Sequence, residues 1–351
     1  MEFGVFIPIG NNGWMISKNS PQYMPSFELN KEVVQKAEGY GFEFVLSMVK
    51  LRGFGGETEF WDHNLESFTL MSALAAVTEK IQLYASVATL TMNPAMVARM
   101  AVTIDDVSGG RFGINLVSGW NKSEYEQMGV WPGDQYFEER YDYTTEYVQV
   151  MKDLWSKGVS DFKGEHFEME DCRMLPLPKG DIKLVSAGQS ERGMRFTAEH
   201  CDYNFIIGDA DKEVVGAANQ QLINEAEKTG RDVGSYVLYT VVMAETDEAA
   251  EAKVQSYRDG ADLDAIAFMT GQAGLDTQGA TAARITELQG AAFLNIGLIV
   301  GSYETVAARI DELAEVEGTS GMMLVFDDFV QGVTDFGEKV MPQLACRKSL
   351  V

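Results

Sequence analysis

Along the 351 residues, short apolar runs alternate with stretches in which apolar residues recur every third or fourth position. The runs are predicted strands, because near-continuous hydrophobicity over roughly four to eight residues suits a strand covered on both faces of a parallel sheet. They fall at residues 3–9, 42–47, 81–86, 111–117, 182–186, 203–207, 236–243, within 295–300, and at 321–326. Between them the helical spacing aligns Leu29, Val33, Ala37 and Tyr40 on one face. It aligns Met96, Met100, Ile104 and Val107 on a second, and Phe137, Tyr141, Thr144, Val148, Met151 and Trp155 on a third. The methionine stripe is read as core. Asn93-Pro94 opens its helix and Ser108-Gly109-Gly110 stops it, whereas Asp62 or Asn64 is the expected cap of the helix before it.

This alternation predicts the α/β class and a (β/α)8 TIM barrel spanning residues 1–351 as one domain, with the runs assigned to its eight strands. An open doubly wound sheet is the runner-up, but its glycine-rich dinucleotide fingerprint is missing. Two stretches depart from the alternation. Residues 158–179 are turn-rich and polar, which predicts a hairpin outside the barrel. Residues 247–290 are rich in Ala, Gly, Gln and acid and exceed what a crossover needs, which predicts an insertion acting as a lid.

Charge and cysteines narrow the setting. Twenty-eight basic residues against fifty-three acidic ones give a net charge of −25, which repels nucleic-acid phosphates and anionic membrane surfaces. Cys172, Cys201 and Cys346 are odd in number and lack metal-site spacing, so free thiols, no metal and a cytoplasmic location are expected. No run approaches a membrane span, and the acidic start is unlike a signal peptide.

Candidate chemistry gathers where predicted strands end, the face that carries function in such barrels. Asn115 interrupts the apolar run 111–117, and a buried amide left without partners costs about 1–3 kcal/mol. A ligand and an internal hydrogen bond are equally good partners for it. After that strand come Ser118-Gly119-Trp120-Asn121, then Glu124, Arg140 and Tyr141. Val49 and Lys50 follow the second strand, Ser86 ends the third, and Gly188-Gln189-Ser190 opens a later helix. Backbone N–H groups at a helix start, a hydroxyl and a guanidinium together suit a phosphate. Separately, Ser190 reads as an ordinary cap and Arg140 as a surface ion pair. His63 reads as a helix-entry hydrogen bond rather than a base, and Trp120 either stacks on a ligand or packs at the barrel mouth.

The strings PIGNNGW, SMVKLRGFGG, EFWDHNLESFTLM and NLVSGWNKSEYEQMGVWPGD resemble the bacterial-luciferase-like flavin monooxygenases, and within them a branch acting on pyrimidines. The resemblance runs from Met1 to about Arg347. It implies FMN contacts at Val49, Lys50, Asn115, Glu124, Arg140, Tyr141 and Ser190, with the last-named three at the phosphate. It implies catalysis by Asn115, Ser86, Lys50 and Glu124. The implied reaction opens uracil between N3 and C4 with O2 and reduced FMN, the latter supplied by a separate flavin reductase, to give ureidoacrylate or its peracid, in a homo-oligomer. Ser86 departs from the pattern, in which threonine is usual, and this bears on how oxygen is placed. Two alternatives stay open: another two-component monooxygenase of the same family, such as an alkanesulfonate type, and a flavin-binding barrel that has lost catalysis.

Overall fold

The computed structural model describes residues 1–277, 279, 283, 285, 292, 293 and 296–347. In chain order it runs β1 (Glu2–Phe6), α1 (Phe27–Tyr40), β2 (Phe44–Leu46), α2 (Ser67–Ala75), β3 (Gln82–Ala88), α3 (Pro94–Ser108), β4 (Phe112–Val117), α4 (Lys122–Glu126) and α5 (Tyr136–Lys157). It continues with β5 (Val159–Ser160), β6 (Cys172–Arg173), β7 (Lys183–Ser186), α6 (Glu191–His200), β8 (Tyr203–Ile207), α7 (Lys212–Thr229), β9 (Gly234–Ala244), α8 (Asp247–Asp259) and α9 (Leu263–Ala273). β10 (Gly297–Ser302), α10 (Tyr303–Leu313), β11 (Thr319–Phe326) and α11 (Phe329–Asp335) complete the order.

Eight parallel strands close a barrel in the order β9-β11-β1-β2-β3-β4-β7-β8, with β8 pairing back to β9. The apolar runs number nine, not eight, and the pairing register shows where the extra one goes. β9 pairs with β8 through residues 234–238 and with β10 through residues 239–244, so β10 extends the same edge beyond the ring. β5 and β6 form a separate antiparallel pair. Of the segment at 247–290, α8 and α9 are described, while 278, 280–282, 284 and 286–290 lie outside the described residues.

The amino end of the barrel is plugged by rings. Phe44 and Tyr203 each stack on Tyr236 with centroids 4.2 Å apart, and Tyr84 meets Tyr236 edge-on. Gly4 and Gly113 make room for them, since a Cβ would fall 2.2 Å from the Phe44 ring and 2.5 Å from the Tyr84 ring. These contacts also fix which side chains point inward. Strand alternation puts Val117 and Asn115 on the inward face of Gly113, and Ser86 on that of Tyr84.

Two local expectations are corrected. α2 is capped by Glu66, whose carboxylate accepts from the Phe68 and Thr69 N–H groups, while the Asn64 amide donates to the Trp61 carbonyl instead. On α3 the methionine stripe is core only in part: Ile104 is buried and Met100 packs against the core, but Met96 and Val107 are exposed, and the buried face runs through Val97, Ala98, Ala101, Val102 and Ile104. Small residues on this face let the helix sit close to the sheet.

Candidate active site

The loops leaving β1, β2, β4 and β7 enclose a cavity at the carboxyl end of the barrel. It holds about 1120 Å³ including its open mouth, of the order of ligand sites generally (~300–1,000 Å³). Phe6, Phe205 and Leu238 form an apolar floor, Trp14, Trp61 and Trp120 an aromatic wall, and Arg140, Tyr141, Gly188 and Gln189 a polar end. The wall is rigid. Trp61 sits at φ 59°, in the left-handed region that side chains rarely adopt, and its indole donates to the Gly13 carbonyl at 2.6 Å.

Lys50, on the loop after β2, forms an ion pair with Glu124 of α4, and both side chains are less than a tenth exposed. Three rings surround the ammonium, with centroids at 4.7 Å (Phe54), 5.2 Å (Trp120) and 5.6 Å (Trp61). The quadrupole of each ring favours the cation, and Trp120 lies parallel to Phe54, so the pair is caged rather than merely buried.

Arg140, at the start of α5, is also committed. Its two terminal nitrogens meet the Asp276 carboxylate at 2.7 and 2.9 Å, and one also donates to the Gly119 carbonyl at 3.0 Å. Burial works against the guanidinium charge, but the Asp276 hydrogen bonds and charge outweigh it and hold the pKa above its ordinary value. Arg140 is therefore held in a buried ion pair with Asp276 rather than in the surface pair expected of it. Tyr141 brings its hydroxyl against Gly188 and Gly193 at the start of α6, where a Cβ would come within 2.4 and 2.6 Å of it. Burial raises the Tyr141 pKa, partly offset by Arg140, so the phenol stays protonated and can donate. Ser190 caps α6 by accepting from the Gly193 N–H at 3.2 Å.

Asn115 and Ser86 do not line the cavity. They lie on the inward face one layer below Val117, with residue exposures of 2% and 1%. The Asn115 amide donates to the Ser86 hydroxyl at 2.8 Å, which donates on to the Ser47 carbonyl at 2.5 Å, and the Ser86 N–H donates to Ser67. The Asn115 atom without a partner among the described residues is therefore the acceptor Oδ1, not a donor. His63 pairs with Glu59 at the surface, away from the cavity.

Residues 1–320 match the model of the family described as luciferase-like monooxygenase. The chain belongs to that family. It is 57% identical over 356 residues to a protein of Acinetobacter baylyi named pyrimidine monooxygenase RutA, covering all of this chain and 96% of that one. It is 59% identical over 353 residues to the protein of the same name from Pseudomonas savastanoi pv. phaseolicola, covering 100% and 98%. Among solved structures, a riboflavin lyase (RcaE) aligns with TM-score 0.83 at 22% identity over 97% of this chain and 90% of its own. A long-chain alkane monooxygenase (LadA) aligns with TM-score 0.81 at 21% identity over 99% and 92%. At such identities these two show a shared fold.

In this luciferase-like barrel, Val49, Lys50, Arg140 and Tyr141 meet at the cavity, and Glu124 joins it through Lys50. Ser190 stands at its polar rim beside Gln189, and Asn115 and Ser86 lie under its floor. The set can hold a flavin mononucleotide: an apolar floor and aromatic wall for a flat ring system, a partnerless amide oxygen beneath, and protonated donors at the opposite end. Sequence reasoning missed Asp276, Phe54, Trp61 and Gln189. Phe54 and Trp61 stand inside strings that carried the family resemblance, whereas no local pattern marks Asp276.

Proposed function

We propose that this chain is a flavin-dependent pyrimidine monooxygenase that opens uracil between N3 and C4 with O2, giving ureidoacrylate or its peracid. Reduced FMN comes from a separate flavin reductase. The observation that carries the reading is identity of 57–59% over the whole chain to proteins named pyrimidine monooxygenase RutA. The same reading has the protein working in the cytoplasm, as a homo-oligomer.

Reduced FMN, when bound, supplies the electrons that activate dioxygen. The chain's own groups then have separate tasks. Arg140, Tyr141 and the start of α6 at Ser190 hold the phosphate end. Val49 and Lys50 flank the ring system, Glu124 keeps the Lys50 ammonium in its cage, and Trp120 offers a face to the flat heterocycle. The Asn115 oxygen accepts an N–H from a ligand ring, and Ser86 holds the Asn115 amide in that orientation while shaping the space beside it for oxygen. Uracil C4 is acyl-like, so attack there places negative charge on its oxygen. Backbone N–H groups near Gly119 are the donors for that charge, an effect worth a few kcal/mol, about 2.7–4 for a single donor.

An alkanesulfonate reading is less well supported, because a sulfonate needs a cation beyond those serving the flavin phosphate. Among the described lining residues, Lys50 and Arg140 are both already paired. The test is product analysis by mass spectrometry after mixing the protein, uracil, O2, reduced nicotinamide dinucleotide and a free flavin reductase. A ring-opened ureido product is expected. Without the reductase, reduced nicotinamide dinucleotide and oxidised FMN should give no turnover, and oxidation of a sulfonate with uracil left intact would overturn the substrate.

A further inference from the structure

Among the described residues, three charged side chains line the cavity: Lys50, Arg140 and Asp276. Lys50 is neutralised by Glu124 and Arg140 by Asp276, so the described charges balance before a ligand arrives. A phosphate dianion entering here meets no uncompensated cation among the described lining residues. It meets Arg140 with a carboxylate already seated in its fork, and both side chains are nearly inaccessible, at 6% and 0% exposed.

A carboxylate and a phosphate are chemical equivalents for that fork, since each presents two oxygens to two parallel N–H groups. Asp276 is also placed so that it can yield. It lies in the turn just after α9, its N–H bonded to the Ala273 carbonyl at 3.0 Å. The other end of α9 is anchored independently, where Asp262 accepts from the Thr58 N–H and hydroxyl, both at 2.8 Å. Moving Asp276 off Arg140 leaves this anchor of α9 in place. Arg140 keeps its bond to the Gly119 carbonyl throughout.

We propose that Asp276 is a built-in competitor for the flavin phosphate: its carboxylate takes the two nitrogens of the Arg140 fork and is exchanged for the phosphate when flavin mononucleotide binds. Asp276 thereby sets how tightly a phosphorylated flavin is held. The proposal rests on the reading of Arg140 as the phosphate end. An enzyme that takes its flavin from a separate reductase must bind and release it in each cycle. An internal anion that occupies Arg140 most of the time weakens apparent affinity by the fraction of time the fork is open. Riboflavin, which lacks the phosphate, is unaffected by this competition.

The test measures dissociation constants of oxidised FMN and riboflavin, by fluorescence quenching, for the full-length parent, Asp276→Asn and Arg140→Gln. Asp276→Asn is expected to bind FMN about tenfold tighter or more, the effect of raising the open fraction of the fork by that factor, with riboflavin unchanged. Arg140→Gln should lose most of the preference for FMN over riboflavin. If Arg140→Gln retains that preference, the phosphate lies elsewhere and the underlying reading fails. If Arg140→Gln loses it but Asp276→Asn binds FMN no more tightly, the phosphate site stands and the exchange is wrong. Hydrogen exchange on the parent provides a readout that needs no variant: FMN, but not riboflavin, should accelerate exchange at residues 274–277. Equal behaviour with the two ligands would overturn the proposal.

Discussion

Two buried ion pairs border one cavity, and they are built for opposite purposes. Lys50–Glu124 joins two neighbouring parts of the rim, and its cation is enclosed by Phe54, Trp61 and Trp120. Separated from water by rings, neither partner has a second counter-ion among the described residues. Arg140–Asp276 links residues 136 apart in sequence, and Arg140 retains the Gly119 carbonyl as a second acceptor and an Nε without a partner among the described residues. The first pair is fixed, and the second is exchangeable. The lesson is that burial alone does not decide what an ion pair does; the alternatives open to each partner decide it.

Several variants sharpen or break this contrast. The largest effect is expected from Glu124→Gln, which strands the Lys50 ammonium in its cage. Removing one partner of a buried pair costs about 3–5 kcal/mol, readable as a lower urea midpoint. Replacing both partners, Lys50→Met with Glu124→Leu, should restore most of that stability while ring opening stays lost. Recovery of activity in the double variant would make the pair a purely structural feature.

The neutral network under the floor should respond less. Ser86→Ala leaves the Asn115 amide without its acceptor, a loss of about 1–3 kcal/mol. Ser86→Thr keeps the hydroxyl and should retain most of that stability, so equal denaturation midpoints for the two variants would refute the role given to the hydroxyl. Smaller still is Trp120→Leu, for which uracil KM should rise about two- to tenfold, the worth of one aromatic contact at ~0.5–1.5 kcal/mol. FMN affinity should hold; if it falls in parallel, Trp120 serves the flavin and not the pyrimidine.

A pH-dependent effect lies away from both pairs. Burial, with Lys152 and Arg231 nearby, lowers the His200 pKa from 6.5 to about 4. The folded state therefore favours neutral His200, and the unfolded chain binds the extra proton between those values. The stability this provides is present above pH 6.5 and is lost as pH falls toward 4. His200→Gln should flatten stability across that window, and an unchanged slope would assign the acid sensitivity to other groups.

The barrel was legible because parallel strands buried on both faces leave unbroken apolar runs, such as the one from Met322 to Phe326. The ninth run was not separable from the other eight, since β10 is as apolar as a ring strand and only its register along β9 puts it outside. The stripe through Met96 and Val107 misled because helical spacing gives a face without saying which neighbour covers it. For the site, the position of Asn115 could be read from the polar break in its strand, but not the direction of its hydrogen bond. Arg140 stood out in the sequence, whereas Asp276 did not, because their pairing exists only in the folded chain.

The most direct test of the account is a single turnover without any reductase. FMN would be photoreduced anaerobically with the protein and uracil, then mixed with isotopically labelled dioxygen, and the products weighed by mass spectrometry. The account predicts an acyclic ureido product that carries label from dioxygen. Complete reoxidation of the flavin to oxidised FMN and hydrogen peroxide, with uracil intact, would contradict it.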